Sequence, residues 1–259
     1  MKKKIINQKP YSILADIYDH VMSDVDYETW ADYIDEIILT HNPNAESLLE
    51  LACGTGTVAL SLEELDCYKI MATDGSEEMI RVAIKKGMLN GSEVIFKPMN
   101  FLDFDLLHDR FDVVYMIFDS LNYLHHESEI IKLHENVKNV LNPDGIFIYD
   151  FTTPRNSRKA IRYLNRQEKK IGEQIRYYRD SSYDADKQIH TNRFKIDKNQ
   201  DGVQKNVFSF SEIHQQKIYT LEQMRTIIGK TDFTILEAYN GFELKPANQK
   251  SLRITMVLQ

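Results

Sequence analysis

An α/β protein built on a doubly wound, mostly parallel sheet is what this sequence predicts, and three observations carry that expectation. The apolar run from Leu48 to Ala52 breaks into Gly54-Thr55-Gly56 and passes at once into an apolar helical pattern from Val58. Short apolar runs then alternate with helical patterns as far as residue 151, the order expected of parallel strands and crossover helices. Segments 173–182, 187–196 and 205–218 alternate apolar and polar residues, so an antiparallel insertion with one covered face is expected over 156–218. Two strands, 232–239 and 251–258, should complete the core over 219–259 as a C-terminal antiparallel hairpin.

The 259 residues suffice for one large domain, or a core with a modest insertion. The net charge is -7 with the acids spread along the chain, whereas a nucleic-acid binder calls for a basic stripe. No nucleic-acid partner is expected. Lys2-Lys3-Lys4 has the start of a secretory signal, but Asn7, Gln8, Lys9 and Pro10 interrupt the apolar run. No stretch is long enough to span a membrane. The two cysteines, Cys53 and Cys67, have no metal-ligand spacing, which points to a reducing cytoplasm and no metal site.

Residues 1–45 read as a helical lid. Ile13, Ala15, Ile17 and Tyr18 fit a short helix; Trp30, Tyr33, Ile34, Ile37 and Ile38 form the face of a longer one capped by Asp26. Packing over the sheet edge and contact with a ligand both stay open for Tyr18, while Tyr27 is expected to pack.

The core, 46–155, begins at the glycine turn. Gly54, Gly56, Ala59 and Asp74 satisfy the dinucleotide-binding spacing, so a nicotinamide-dependent dehydrogenase is one reading. Glu50 argues the other way, because a carboxylate ahead of the turn suits an ammonium group and repels a pyrophosphate. Glu50-Leu51-Ala52-Cys53-Gly54-Thr55-Gly56 resembles the class I SAM-dependent methyltransferases. That resemblance implies a Rossmann-like fold and S-adenosylmethionine held at Glu50, Ala52, Cys53, Gly54 and Gly56. It also likens the aromatic lid, with Tyr18, Asp19 and Trp30, to a ligand-facing one.

The strand at 68–73 ends in Asp74-Gly75-Ser76. A carboxylate there can accept both ribose hydroxyls, and Ser76 caps the helix 77–89 with Met79 placed against the adenine. Asn90-Gly91 closes that helix. After the strand 94–96, Asn100 stands where the resemblance implies an Asp accepting from the adenine amino group, with Phe101 next to the ring. Asn100 departs from the pattern but keeps a carbonyl acceptor.

Strand 111–118 leads into Asp119-Ser120-Leu121-Asn122-Tyr123, where a doubly wound sheet binds its ligands. Phe118 is expected beside the sulfonium, with Asn122 and Tyr123 orienting a substrate. This segment does not match the Asn/Asp-Pro-Pro-Tyr of DNA amino-methyltransferases. His125-His126 opens the helix 127–140, Asn142–Gly145 makes a turn, and strand 146–151 ends near the cleft with Asp150, an acceptor ligand or a salt-bridged acid. In the insertion, Asn199-Gln200-Asp201-Gly202 marks a turn; Thr220 and Gln223 form a capping box for the helix 221–229. The stretches Phe210–Gln216 and Tyr219–Met224 are similar to methyltransferases that dimethylate amino sugars of macrolides.

The expected function is therefore SAM-dependent methyl transfer to a small molecule, foremost an amine, by in-line displacement. A hydroxyl acceptor needs a positioned base, for which Tyr18, His214 or Glu212 are candidates. The alternatives are an O- or carboxyl-methyltransferase, a dehydrogenase, and a non-catalytic SAM-binding protein. The insertion is expected to carry specificity or a homodimer contact.

Overall fold

The computed structural model describes residues 5–103, 107–199 and 207–259. Its strands are β1 (Ile5–Asn7), β2 (Ser47–Leu51), β3 (Lys69–Asp74), β4 (Ile95–Pro98), β5 (Phe111–Met116), β6 (Leu141–Thr152) and β7 (Gln167–Ile171). They continue as β8 (Ile175–Asp184), β9 (Ile189–Asn199), β10 (Val207–Lys217), β11 (Ile235–Asn240), β12 (Glu243–Pro246) and β13 (Arg253–Leu258). The helices are α1 (Tyr18–Val21), α2 (Tyr27–His41), α3 (Thr57–Glu63), α4 (Glu77–Asn90), α5 (Glu127–Val140), α6 (Pro154–Leu164) and α7 (Leu221–Ile228).

Eight strands form the main sheet in the order β12-β11-β13-β6-β5-β2-β3-β4. The five from β6 to β4 run parallel, and β13, β11 and β12 add an antiparallel edge. The chain winds outward from β2 to β4, then returns to β5 on the other side of β2. That reversal opens a crevice at the carboxyl ends of β2 and β5. Both faces of the parallel strands are covered: Leu48, Val113 and Tyr115 pack with α2 and α3 residues, Leu49, Val114 and Met116 with α5 and α7 residues. Burial on both faces is why these runs are continuously apolar.

The local signals act where they stand. Asp26 accepts from the Thr29 N–H, Ser76 from the Met79 N–H, and Thr220 and Gln223 form the capping box of α7. The turn expected at Asn142–Gly145 is instead absorbed inside β6. Phe111 pairs with Leu141 and Val113 with Ile146, so the extra residues bulge out with Asp144 at φ 64°.

A second sheet, β1-β10-β9-β8-β7, realises the expected insertion with an addition the sequence pattern did not show. β1 pairs parallel with β10, which stitches the N-terminal segment to the insertion, and Leu14 and Ile17 pack on Tyr177, Phe194 and Ile196. Of the turn expected at 199–202, Gln200, Asp201 and Gly202 lie outside the described residues, as do the first two residues of the segment 205–218. Among the described residues no helix is long and apolar enough to cross a membrane.

Candidate functional site

At the carboxyl ends of β2 and β3 lies a cavity of about 690 Å³. Its walls include Tyr18, Glu50, Ala52, Cys53, Gly54, Asp74, Gly75, Ser76, Met79, Asn100, Phe101 and Phe118, all expected from the sequence. Glu50 forms part of the floor, only 2% exposed, accepting from the Tyr115 hydroxyl at 3.2 Å. Burial pushes its pKa up to about 8, against the pull of the Tyr115 hydroxyl. Asp74 accepts from the Gly54 N–H at 2.9 Å and the Ser76 N–H at 2.8 Å. Burial raises the Asp74 pKa and these two donors oppose the rise.

The glycine turn spends its amides internally, since the Gly56 N–H donates to the Cys53 carbonyl at 2.9 Å. A pyrophosphate would find neither the Gly54 nor the Gly56 N–H uncommitted. Gly56 itself does not line the cavity, contrary to its expected cofactor contact. It starts α3 at φ 75°, and a Cβ there would stand 2.5 Å from Phe96 Cε1. Gly56→Ala should therefore destabilise the fold by about 1–3 kcal/mol, the cost of a non-glycine residue in a strained conformation, read by denaturant unfolding. Burial drives the Cys53 thiol well above its ordinary pKa, which leaves it a packing residue. Asn100 is exposed, and its Oδ1 already accepts from the Leu102 N–H at 2.9 Å.

Asp19 pins α1 to the glycine turn, accepting from Thr55 Oγ1 at 2.6 Å and pairing with Lys86 Nζ at 2.8 Å. Tyr18 consequently faces this cavity and a second one of about 400 Å³. The two share Tyr11, Tyr18, Phe118 and Tyr123 as a common wall. Phe118 and Asp119 both adopt positive φ, 59° and 51°, a strained pair that turns the Phe118 ring between the cavities.

Three sequence expectations are corrected here. Trp30 lines the second cavity rather than the first, because it stacks on Phe118 at 4.3 Å and against Phe242 at 4.5 Å. Asn122 is fully buried and cross-links the two sheets: its amide donates to the Lys217 carbonyl and its oxygen accepts from the Thr152 N–H. It cannot reach a substrate. Asp150 is also fully buried, ion-paired with Arg253 and accepting from the Asp119 N–H at 3.0 Å. It is a buried salt-bridge acid and not an acceptor ligand.

Tyr123 and His214 do come together at the common wall. Glu212 accepts from the backbone N–H groups of Tyr11, Ile13 and Leu14 and from His214 Nε2 at 2.9 Å. Burial alone would raise the Glu212 pKa; His214 and these amides hold it below its ordinary value. An ionised carboxylate only accepts, so Nε2 of His214 carries a proton; in the neutral imidazole Nδ1 is then the acceptor for the Tyr123 hydroxyl at 2.9 Å. In that state the Tyr123 oxygen is the acceptor of the Tyr11 hydroxyl at 2.7 Å.

Two wall residues escaped the sequence reading. Tyr11 sits at φ 62°, held by Glu212 at its N–H and by Ser76 Oγ at its carbonyl. No local pattern marks it, because its partners are 65 to 201 positions away. Tyr27, read as packing, borders the first cavity with a buried hydroxyl that has no partner among the described residues.

A methyltransferase domain family matches residues 48–145. A Bacillus subtilis (strain 168) protein provisionally named a methyltransferase, YqeM, is 31% identical over 140 residues, 54% of this chain and 54% of its own length. A Saccharopolyspora spinosa relative, dTDP-4-amino-2,3,4,6-tetradeoxy-D-glucose N,N-dimethyltransferase, is 28% identical over 138 residues, 52% of this chain and 53% of its own. The chain thus spans about half the length of each of these relatives. A solved structure of an S-adenosylmethionine-dependent methyltransferase from Clostridium acetobutylicum ATCC 824 superposes with a TM-score of 0.77. It is 24% identical, over 96% of this chain and 98% of that one.

Proposed function

We propose, from the premise that this chain carries a class I, S-adenosylmethionine-dependent methyltransferase domain, that it transfers a methyl group to a small-molecule amine. S-adenosylmethionine is its cofactor, and the 690 Å³ cavity suits that molecule. A buried carboxylate without a cationic partner among the described residues, Glu50, fits an ammonium group, and Asp74 at the next strand end fits a diol. When bound, the cofactor supplies a methyl group already activated on positive sulfur. The protein is left to hold, orient and deprotonate the acceptor.

The observation that carries the reading is the common wall, where Tyr11, Tyr18, Phe118 and Tyr123 face both cavities. Tyr18 and Phe118 frame the passage through which a lone pair in the smaller cavity meets the methyl group. His214, joined to that wall through Tyr123, is the base. The amino-sugar relative supports nitrogen as the accepting atom. A hydroxyl or carboxylate acceptor is the competing outcome.

Calorimetric titration tests the cofactor assignment: S-adenosylhomocysteine should bind and NAD should not. A screened amine panel with labelled methyl tests transfer, and binding without turnover across it would favour a non-catalytic role. Asp74→Ala should weaken S-adenosylhomocysteine binding by about 1–3 kcal/mol, since it strands both the ribose hydroxyls and two backbone N–H groups. Unchanged affinity in a folded variant would remove Asp74 from the site. A cytoplasmic location fits the free thiols Cys53 and Cys67. Exposed Ile5, Phe208 and Ile213 on the second sheet keep the homodimer reading, which sedimentation velocity tests directly.

A further inference from the structure

We propose that Tyr11, Tyr123, His214 and Glu212 form a proton relay that deprotonates the acceptor at the wall between the two cavities, with the Tyr11 hydroxyl as the group that meets it. The inference rests on the methyl-transfer reading and adds the path of the proton. Three hydrogen bonds in series, 2.7, 2.9 and 2.9 Å, run from Tyr11 to Tyr123, to His214 Nδ1, and from Nε2 to Glu212. Their direction follows from the carboxylate end. Glu212 accepts, His214 donates from Nε2 and accepts at Nδ1, and each phenol passes its own proton inward. The Tyr11 oxygen is thereby left with an open lone pair at the cavity wall.

The step balances. An ammonium acceptor gives its N–H proton to the Tyr11 oxygen as the Tyr11 proton moves to Tyr123 and the Tyr123 proton to His214 Nδ1. The nitrogen keeps its electron pair for the methyl group, and positive charge moves from the ammonium to an imidazolium. No net charge is created in the interior, because Glu212 stands against the imidazolium. After product leaves, the same path returns the proton to water in the cavity. A second methylation needs the same deprotonation of the once-methylated ammonium.

Further features point to a built device rather than a chance contact. Glu212 is 1% exposed and His214 2%, and the carboxylate that pairs with His214 also fixes the Tyr11 backbone at its positive φ. The imidazole is gripped edge-on by Tyr11 at 4.6 Å and Phe194 at 4.7 Å. The charged groups around the chain are Glu212 on β10, Asp119 after β5, Asp74 at the end of β3, and Arg179 on β8, which lies over the Phe194 ring. Burial raises the Tyr11 phenol well above its ordinary pKa, so it conducts a proton as a neutral hydroxyl.

Nitrogen NMR of the histidine-labelled protein, saturated with S-adenosylhomocysteine at pH 8, reads the relay without any acceptor. His214 should carry its proton on Nε2 with Nδ1 bare, and Tyr123→Phe should shift the Nδ1 resonance. A proton on Nδ1 at that pH, in either tautomer or in an imidazolium, would overturn the relay, because Tyr123 could not then donate. With a screened amine, Tyr11→Phe and Tyr123→Phe should each lower kcat about 100-fold or more with little change in S-adenosylhomocysteine affinity. Their rates should climb tenfold per pH unit up to the amine's own pKa. Wild-type kcat in both variants would also overturn the proposal. Failure of the wild-type protein to bind S-adenosylhomocysteine would instead count against the methyl-transfer reading, with the resonance assignment still standing on its own.

Discussion

S-adenosylhomocysteine should bind about tenfold more tightly for each pH unit gained between pH 5 and pH 8, some thousandfold across the range, with one proton released on binding. The cause is Glu50. In the free protein its carboxyl is buried at the cavity floor with a pKa raised to about 8, so it is neutral at pH 5 and ionises only toward the top of this interval. An arriving ammonium group favours the ionised form, and binding must drive the proton off. Above about pH 8 Glu50 is already ionised, so affinity should level off there and fall only when the ligand's own α-amino group loses its charge at higher pH. Calorimetry in buffers of different ionisation enthalpy counts the released proton directly. Glu50→Gln should bind weakly and lose the slope. A wild-type affinity flat from pH 5 to pH 8 would show that Glu50 does not meet the ammonium.

The same residue sets a sign for stability. A carboxyl whose folded pKa lies above its unfolded one holds the proton more tightly in the native state. Its contribution is complete below about pH 4.5 and is lost as pH rises through about 8. The ligand-free protein should thus be less stable at pH 8.5 than at pH 5.5 on this account, and Glu50→Gln should flatten that part of the profile. Function and stability pull against each other at this one side chain, as is common where a site holds a buried charge for its ligand.

What the sequence made legible was local chemistry with short reach. The Ser76 and Asp26 caps and the Thr220 capping box each act within a few residues, and each stands in the structure as its spacing predicts. Two of the departures, at Asn122 and Asp150, share one physical cause. The places of Asn122 and Asp150 beyond or at strand ends suggest contact with a substrate, but what decides their role is a partner far along the chain: Lys217 for one, Arg253 for the other. Tyr11 carries no local signal for the same reason, since Glu212 holds it from 201 positions away. The short strands β1 and β12, three and four residues long, carry too little periodicity to announce themselves.

Arg253→Ala should cost about 3–5 kcal/mol of folding stability, among the largest single losses available to this chain. Arg253 stands between two carboxylates, pairing with Asp119 at 2.5 Å and with the fully buried Asp150, while its guanidinium lies over the Trp30 ring. Removing it leaves two like charges facing each other, one of them with no access to solvent. The pair Asp119 and Asp150 also holds the strained turn at Phe118 and Asp119 in place, because Asp150 accepts from the Asp119 N–H. Losing the cation should therefore loosen the wall between the cavities as well as the fold. Asp150→Asn in the Arg253→Ala background should return part of the lost stability, since it removes the buried charge but keeps the acceptor for the Asp119 N–H. Urea unfolding of the two single variants and the double variant measures the coupling as a cycle. Strict additivity across that cycle would mean the ion pair contributes nothing that the separate residues do not.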